Sequence, residues 1–438
     1  MKKNSVKDLS SFKELIKKIT DQNSFTLQNE EVETIRKEAI DEIRKAGIKD
    51  LSDIFGKKHK KNLSGYKNLN LLDIPKVRTR TSVQDHNQEI AGRRVIGRIK
   101  ICDDEIIKWI DPNMEDKGII FCDLFSAFSN HSKKVNHAFK DDRIKRDNLI
   151  SNLILGQSKH GSFLFIPDGI QPNGLFEIDV EVSHVNSLIP LHLITKIGKS
   201  ASSKLVIQIK SKDNNKNRSI LAIRNDLFLA ENSNLTVVQN QKIGIKTALF
   251  ITEHIYKNRG ANLNNLILDQ GSAVTDRILD ADLIGEGGSV IITGLYESRN
   301  GQRFFYDTQQ NHFASHTKSD LLFKGVLGKN AFSFWKGNIL VSKNTIGTNG
   351  YQSNKNLIID PSAKAESIPG LEILTDDVRC SHGVTMGNID KEQMFYLQSR
   401  GINQEDAEKI IIEGFLSSAV KRIADKRIQE FILNSIEK

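Results

Sequence analysis

Apolar and polar positions follow two different rhythms along this chain. In SSFKELIKKI (10–19) and EEVETIRKEAIDEIRKAGI (30–48) apolar residues recur every three or four positions. That spacing predicts two helices, the second ending at Gly47. The lysine-rich GKKHKKNLSGYKN (56–68) reads as an exposed connection. Residues 85–155 are mixed: IIFCDLFSAF (119–128) suggests a strand entering a helix, and KDDRIKRDNLISNLIL (140–155) another helix.

From about residue 160 to 378 the rhythm shortens. Runs such as SFLFIP (162–167), KLVIQIK (204–210), NLTVVQ (234–239), SVIITG (289–294), NILVS (338–342) and NLIID (356–360) are separated by Asn, Gly, Ser and Asp turns. Strands without intervening amphipathic helices exclude a doubly wound sheet and leave a sandwich, a barrel or a β-solenoid. Spacing between the runs is irregular, so no clean repeat emerges, and the pattern leaves sandwich and solenoid equally open.

The last segment, 390–438, returns to a helical period. Asp390 is placed to cap one helix, with Gln393 three residues on and Gly401 past its end. Asn403 caps a second, over 403–423, whose Ala407, Ile410, Ile411, Phe415 and Ala419 form the expected apolar stripe. Three zones follow: a mostly helical 1–155, a β core over 156–380 and a helical 381–438.

Composition narrows the class. The chain has 438 residues, 38% hydrophobic and 27% charged, and no apolar run near the roughly 18 residues of a membrane span. The basic N-terminus has amphipathic spacing and no cleavage-site pattern, so it does not read as a secretory leader. Three cysteines, Cys102, Cys122 and Cys380, fit a reducing cytosol better than a disulfide framework. The net charge of +9 includes clusters such as KKHKK (57–61) and GRRVIGRIK (92–100). These lack interleaved aromatics and lie beside acidic residues, which favours a solvated basic surface over nucleic-acid binding.

Candidate chemistry is sparse. KIGKS (196–200) resembles the end of a phosphate-binding loop, but Leu193 stands where its first glycine belongs. GEGGS (285–289) reads as a turn. His312 and His316 are four apart in strand-like surroundings, where about 13 Å would separate them, so a structural role is favoured over a shared metal. Asp280, Asp282 and Glu286 are candidate carboxylates for a β-helix carbohydrate-active enzyme, a lyase or hydrolase. Cys380 and His382 lie two apart in a loop-like Ser-His-Gly setting. In an extended segment both would point the same way, toward a thiophilic metal. Two ligands do not close a site, and spacing alone favours a buried thiol and an unrelated imidazole.

The longer context changes this. LEILTDDVRCSHGVTMGNIDKEQMFYLQSRGI (371–402) resembles the C-terminal signature of the SufB/SufD family of iron–sulfur cluster assembly scaffolds. SHTKSDLLFKGVLGKNAFSFWKGNILV (315–341), NGYQSNKNLIIDPSAKAESIPGLEI (349–373) and GSFLFIPDGI (161–170) resemble further family segments, so the likeness covers about 160–425. The CSHG form is that of the SufD branch. Departures include Asn349-Gly350, where Asp-Ala is usual, and a tryptophan motif replaced around Tyr66.

The resemblance implies a right-handed parallel β-helix flanked by N- and C-terminal helical domains, and a scaffold that is not itself an enzyme. It implies pairing with a SufB-like paralogue through the β-helix and docking of a SufC-like ATPase on the C-terminal helices, with Phe395, Ile411 and Phe415 as contact residues. Neither nucleic acid nor membrane insertion is implied. No cofactor would be tightly held by this chain alone. A transient iron–sulfur cluster would form at the subunit interface, with His382 as metal ligand and Cys380 in second rank.

Overall fold

The computed structural model describes residues 2–22, 25–27, 29–79, 89–102, 105–139, 148–183, 186–211, 218–423 and 425–436. Its centre is a parallel β-solenoid of about ten turns, which resolves the choice left open by the pattern. Strands take turns between two sheets. One runs from Ile120–Asp123 and His160–Ile166 through Ser187–Ile197, Ser219–Leu229, Thr247–Lys257, Val274–Leu283, Arg303–His312 and Phe332–Val341 to Lys364–Ile373. The other reaches Val378–Asn388 through Leu175–Val182, Ser202–Ser211, Asn234–Ile243, Asn262–Gly271, Ser289–Ser298, Lys318–Leu327 and Thr348–Ile358.

Register is continuous from coil to coil. Phe176, Leu205, Val237, Asn265, Ile292, Leu321, Gln352 and His382 stack in one column. Most of these point inward among buried aliphatics such as Leu191, Ile223, Ile251 and Leu279, each contributing about 1.5–3 kcal/mol on burial. The corners stack as well. Backbone N–H groups of Ser200, Asn232, Gly260, Gly287, His316 and Gly347 each donate to the corner of the next coil. All six have positive φ, a conformation that Gly and Asn adopt at least cost. KIGKS and GEGGS are two of these corners, not phosphate-binding loops.

The interior also holds charge. Glu253 accepts hydrogen bonds from Asn225 Nδ2 (2.8 Å), Gln239 Nε2 (2.5 Å) and Asn265. Arg277 donates to Asp269 (3.0 Å) and Gln239 (2.8 Å), and Tyr306 donates to Asp269 (3.2 Å). Such a network is tolerable in a core because its members satisfy one another.

Helices cover the outer faces. Leu149–Gln157 packs on the first sheet and Glu30–Lys45 packs against that helix; the start of the helix expected over 140–155 lies outside the described residues. Ile120–Asp123 does lead into helix Leu124–Asn130, capped by the Asp123 side chain. The 56–68 segment is not the exposed connection that its lysines suggest. His59 is fully buried with Nε2 2.5 Å from Asp276 Oδ2, Lys58 joins the same carboxylate at 2.8 Å, and Leu63 and Tyr66 are buried. In the second basic cluster Arg94 meets Asp111 at 2.7 Å, Arg93 meets Asp425 and Arg98 meets Glu177. Among the described residues, no helix is long and apolar enough to cross a membrane.

Candidate functional site: the open end of the solenoid and the C-terminal groove

Cys380 and His382 do not lie in a loop. They belong to Val378–Asn388, the last strand of its sheet, and pair with Gly350 and Gln352 of the coil below. Alternation sends Cys380, His382, Val384 and Met386 to the inward side, in columns that are buried in earlier coils. Here they are not covered, because no further coil lies above them among the described residues. His382 is exposed, and so are Val384, Met386, Leu371 and Ile373 around it. The molecule thus presents an uncapped core cross-section bounded by two open strand edges, Lys364–Ile373 and Val378–Asn388. Edges and apolar surface of this kind are normally blunted or covered.

The two candidate ligands differ chemically. Cys380 is half-buried, and desolvation pushes its thiol above the ordinary value, partly offset by a backbone hydrogen bond from Gly350. It is mainly protonated near neutral pH and would have to lose that proton to bind metal. His382 is open to solvent. Among the described residues no three His, Cys, Asp or Glu side chains gather as a metal-holding group, so Cys380 and His382 do not make a complete metal site by themselves.

The histidines four apart are separated by the corner itself. His312 ends its strand fully buried, 2.7 Å from Thr317 Oγ1 and 2.9 Å from Ser319 Oγ. Burial, with the charge of Lys257 nearby, holds its pKa down at about 4. His316 is the exposed corner residue, 3.8 Å from Glu286. The carboxylates of the carbohydrate reading do not line one cleft. Asp282 is buried and accepts from Asn311 (2.6 Å), Asp280 is 3.8 Å from His254, and Glu286 sits exposed in a turn.

At the C-terminus, Asp390 caps Lys391–Ser399 and Asn403 caps Gln404–Val420, while a third helix, Lys426–Ile436, was not separately foreseen. The buried stripe of the middle helix is Ala407, Ile412, Leu416, Ala419 and Val420, rotated from the expected one. Ile410 is 44% exposed. The buried stripe packs on Leu295, Leu322 and Val326 of the solenoid. Lys324 fastens it, donating to Phe415 O at 2.6 Å with its ammonium 4.4 Å from the Phe415 ring. Arg422 pairs with Asp320 at 2.7 Å. The rotated-out face, with Phe395, Ile410, Ile411 and Phe415, lines a groove of about 920 Å³ between the first two C-terminal helices. Phe395 is 73% exposed.

Residues 181–415 match the family model described as SUF system FeS cluster assembly, SufBD core domain. The chain belongs to the SufBD family. Within that family it is SufD-like. It is 24% identical over 341 residues to the iron–sulfur cluster assembly protein SufD of Bacillus subtilis, covering 75% of this chain and 76% of that one. It is 31% identical over 192 residues to a SufBD family protein of Mycobacterium leprae, covering 42% of this chain and 49% of the relative. The Escherichia coli SufD match is 34% identical over 166 residues, 38% and 39% of the two chains. The aligned part thus spans about half or less of the last two relatives. The SufBD core match takes in the open end and the first two C-terminal helices as far as Phe415.

Sequence reasoning did not single out Gln352 or the charged interior. The available signal was NGYQSNKNLI, where polar Gln352, Asn354 and Asn356 occupy alternate, inward positions.

Proposed function

We propose that this SufBD-family chain is a non-catalytic, SufD-like scaffold subunit that assembles iron–sulfur clusters with a SufB-like paralogue and a SufC-like ATPase. The observation that carries the reading is the uncapped last coil. It joins inward-type residues Cys380 and His382, exposed aliphatics and two open strand edges in one surface. A paralogous solenoid end seated there would bury the aliphatics, pair the edges and bring the ligands that this chain lacks. His382 would give a neutral imidazole to the nascent cluster, which is cargo here, with Cys380 as a second donor. The groove lined by Phe395, Ile411 and Phe415 is the docking place for the ATPase. The three free cysteines suit a reducing cytoplasm.

The test is co-purification of the wild-type chain and of His382→Ala with a SufB-like chain and an ATPase. Because His382 is exposed, the variant should fold and join the complex as wild type does, yet retain several-fold less iron and sulfide. Equal iron and sulfide on the variant complex would remove His382 from the ligand set. A chain that comes down alone would remove the scaffold reading.

A further inference from the structure

Lys324 occupies a place where an apolar side chain would pack at less cost. It lies on the outward face of Lys318–Leu327, between Leu322 and Val326, and both of those neighbours belong to the cluster that packs on Gln404–Val420. Lys324 is 6% exposed. Burial, with the charge of Lys355 on the adjacent strand, holds its pKa down at about 8. Near pH 7 the group is still mainly an ammonium, kept in a poorly hydrated place.

The helix has other means of staying docked. Ile412, Leu416, Ala419 and Val420 bury an apolar stripe on the solenoid, and Arg422 pairs with Asp320 at 2.7 Å. A methionine at 324 would extend the same apolar contact without desolvating a charge. What the ammonium adds falls mainly on one residue. It donates to Phe415 O at 2.6 Å and to Ser418 Oγ, and it stands 4.4 Å from the centroid of the Phe415 ring. That distance is inside the roughly 6 Å over which a cation is attracted to an aromatic face. One group thus holds both the carbonyl and the ring of Phe415. The residue is partly buried and lines the C-terminal groove with Ile411 and, on the facing helix, Phe395.

We propose that Lys324 is the positioning residue of the docking groove: its ammonium holds the Phe415 ring in the orientation that the ATPase engages. This rests on the reading of the groove as the docking place for a SufC-like ATPase. An aromatic side chain fixed before binding loses less freedom when the partner arrives, and aromatic anchors carry a large share of the affinity at such surfaces. The buried charge serves recognition, and the apolar stripe beside it serves the fold.

The experiment titrates the full chain with an ATPase of the SufC type. Lys324→Met, similar in length but without the charge, should bind roughly three- to tenfold more weakly than wild type. Limited proteolysis should cut its C-terminal helices no faster than in wild type, because Leu416 and Arg422 still hold them. Lys324→Arg, which keeps a cation for the ring, should bind within about twofold of wild type. A double-mutant cycle reads whether the lysine acts through the ring: in a Phe415→Leu background, Lys324→Met should weaken binding no further. Wild-type affinity in Lys324→Met, additive losses in the cycle, or a loss that Lys324→Arg shares overturns the proposal. Faster cleavage of the helices in Lys324→Met also overturns it, since the lysine would then only anchor the helix. Phe395→Asp, on the facing side of the groove, tells this proposal from the reading beneath it. If Phe395→Asp binds weakly and Lys324→Met normally, the groove stands and the positioning role fails. If both bind normally, the groove reading fails and the proposal falls with it.

Discussion

Replacing Lys257 by methionine should stabilise this protein, most of all at or below neutral pH. Lys257 ends strand Thr247–Lys257 on the inward side, in a column with Leu229, Leu283 and His312. It is 0% exposed, and its Nζ lies against Gly288 with no hydrogen-bond partner among the described residues. Burial alone brings its pKa down from 10.5 to about 7. Below about pH 7 the ammonium is charged in both the folded and the unfolded chain, and its desolvation cost is fully present. Between about pH 7 and 10.5 the folded chain gives up a proton that the unfolded chain keeps, so stability rises with pH. Above that both forms are neutral and the cost is gone. The displacement corresponds to at most about 4–5 kcal/mol at low pH, before allowance for relaxation. Methionine has similar length and volume and carries no charge. We expect Lys257→Met to gain about 2–4 kcal/mol at about pH 6.5 and to approach wild type by about pH 10. Thermal and urea melts across this range, on both chains, measure the difference directly. A variant less stable than wild type at about pH 6.5, or an offset that does not shrink with pH, would refute an unpaired buried lysine.

Two further outcomes bear on the C-terminal helices. Leu416→Ala removes a 2%-exposed side chain from the contact between Gln404–Val420 and the solenoid. It should cost about 2–5 kcal/mol locally, so limited proteolysis should cut the C-terminal helices well before the solenoid; unchanged cleavage would mean that Lys324 and Arg422 hold the helix without this contact. Phe395→Asp alters a 73%-exposed residue, so stability should move by less than about 0.5 kcal/mol. Binding of an ATPase of the SufC type should fall more than about tenfold in a titration, as for an aromatic anchor, and undiminished binding would take Phe395 out of the docking surface.

The strands were legible because their boundaries are chemical: a corner must turn, and Asn, Gly or Ser marks it. Their stacking was not. Ser200, Asn232, Gly260, Gly287, His316 and Gly347 hold equivalent corners, but four residue types fill one conformational role and the coils between them differ in length. Alternation also failed as a guide to inside and outside. Helices bury the outer faces, so Ile220, Ala222 and Phe250 are as buried as the inward Leu221 and Leu249, while Glu253, Asp269 and Arg277 lie inside. Three consecutive isoleucines, 410–412, made the helix stripe ambiguous by one position, and the true rotation decides which face is left for a partner.

His382 shows why a candidate site can be legible by likeness and hidden from pattern reasoning. Cys-Ser-His-Gly is polar and small, as a loop would be, because its strand has lost the neighbour that makes earlier strands apolar. Leu321 and Ile292 are one and the same column position with layers above them. Gln352 has one layer above it and His382 has none. The column is not uniformly apolar below, since Asn265 is buried within it, but only at its last position, His382, does a side chain of the column stand open to solvent. A side chain at the end of a rigid coil stack is held by the register of every coil below it, a placement that a loop of the same composition would lack.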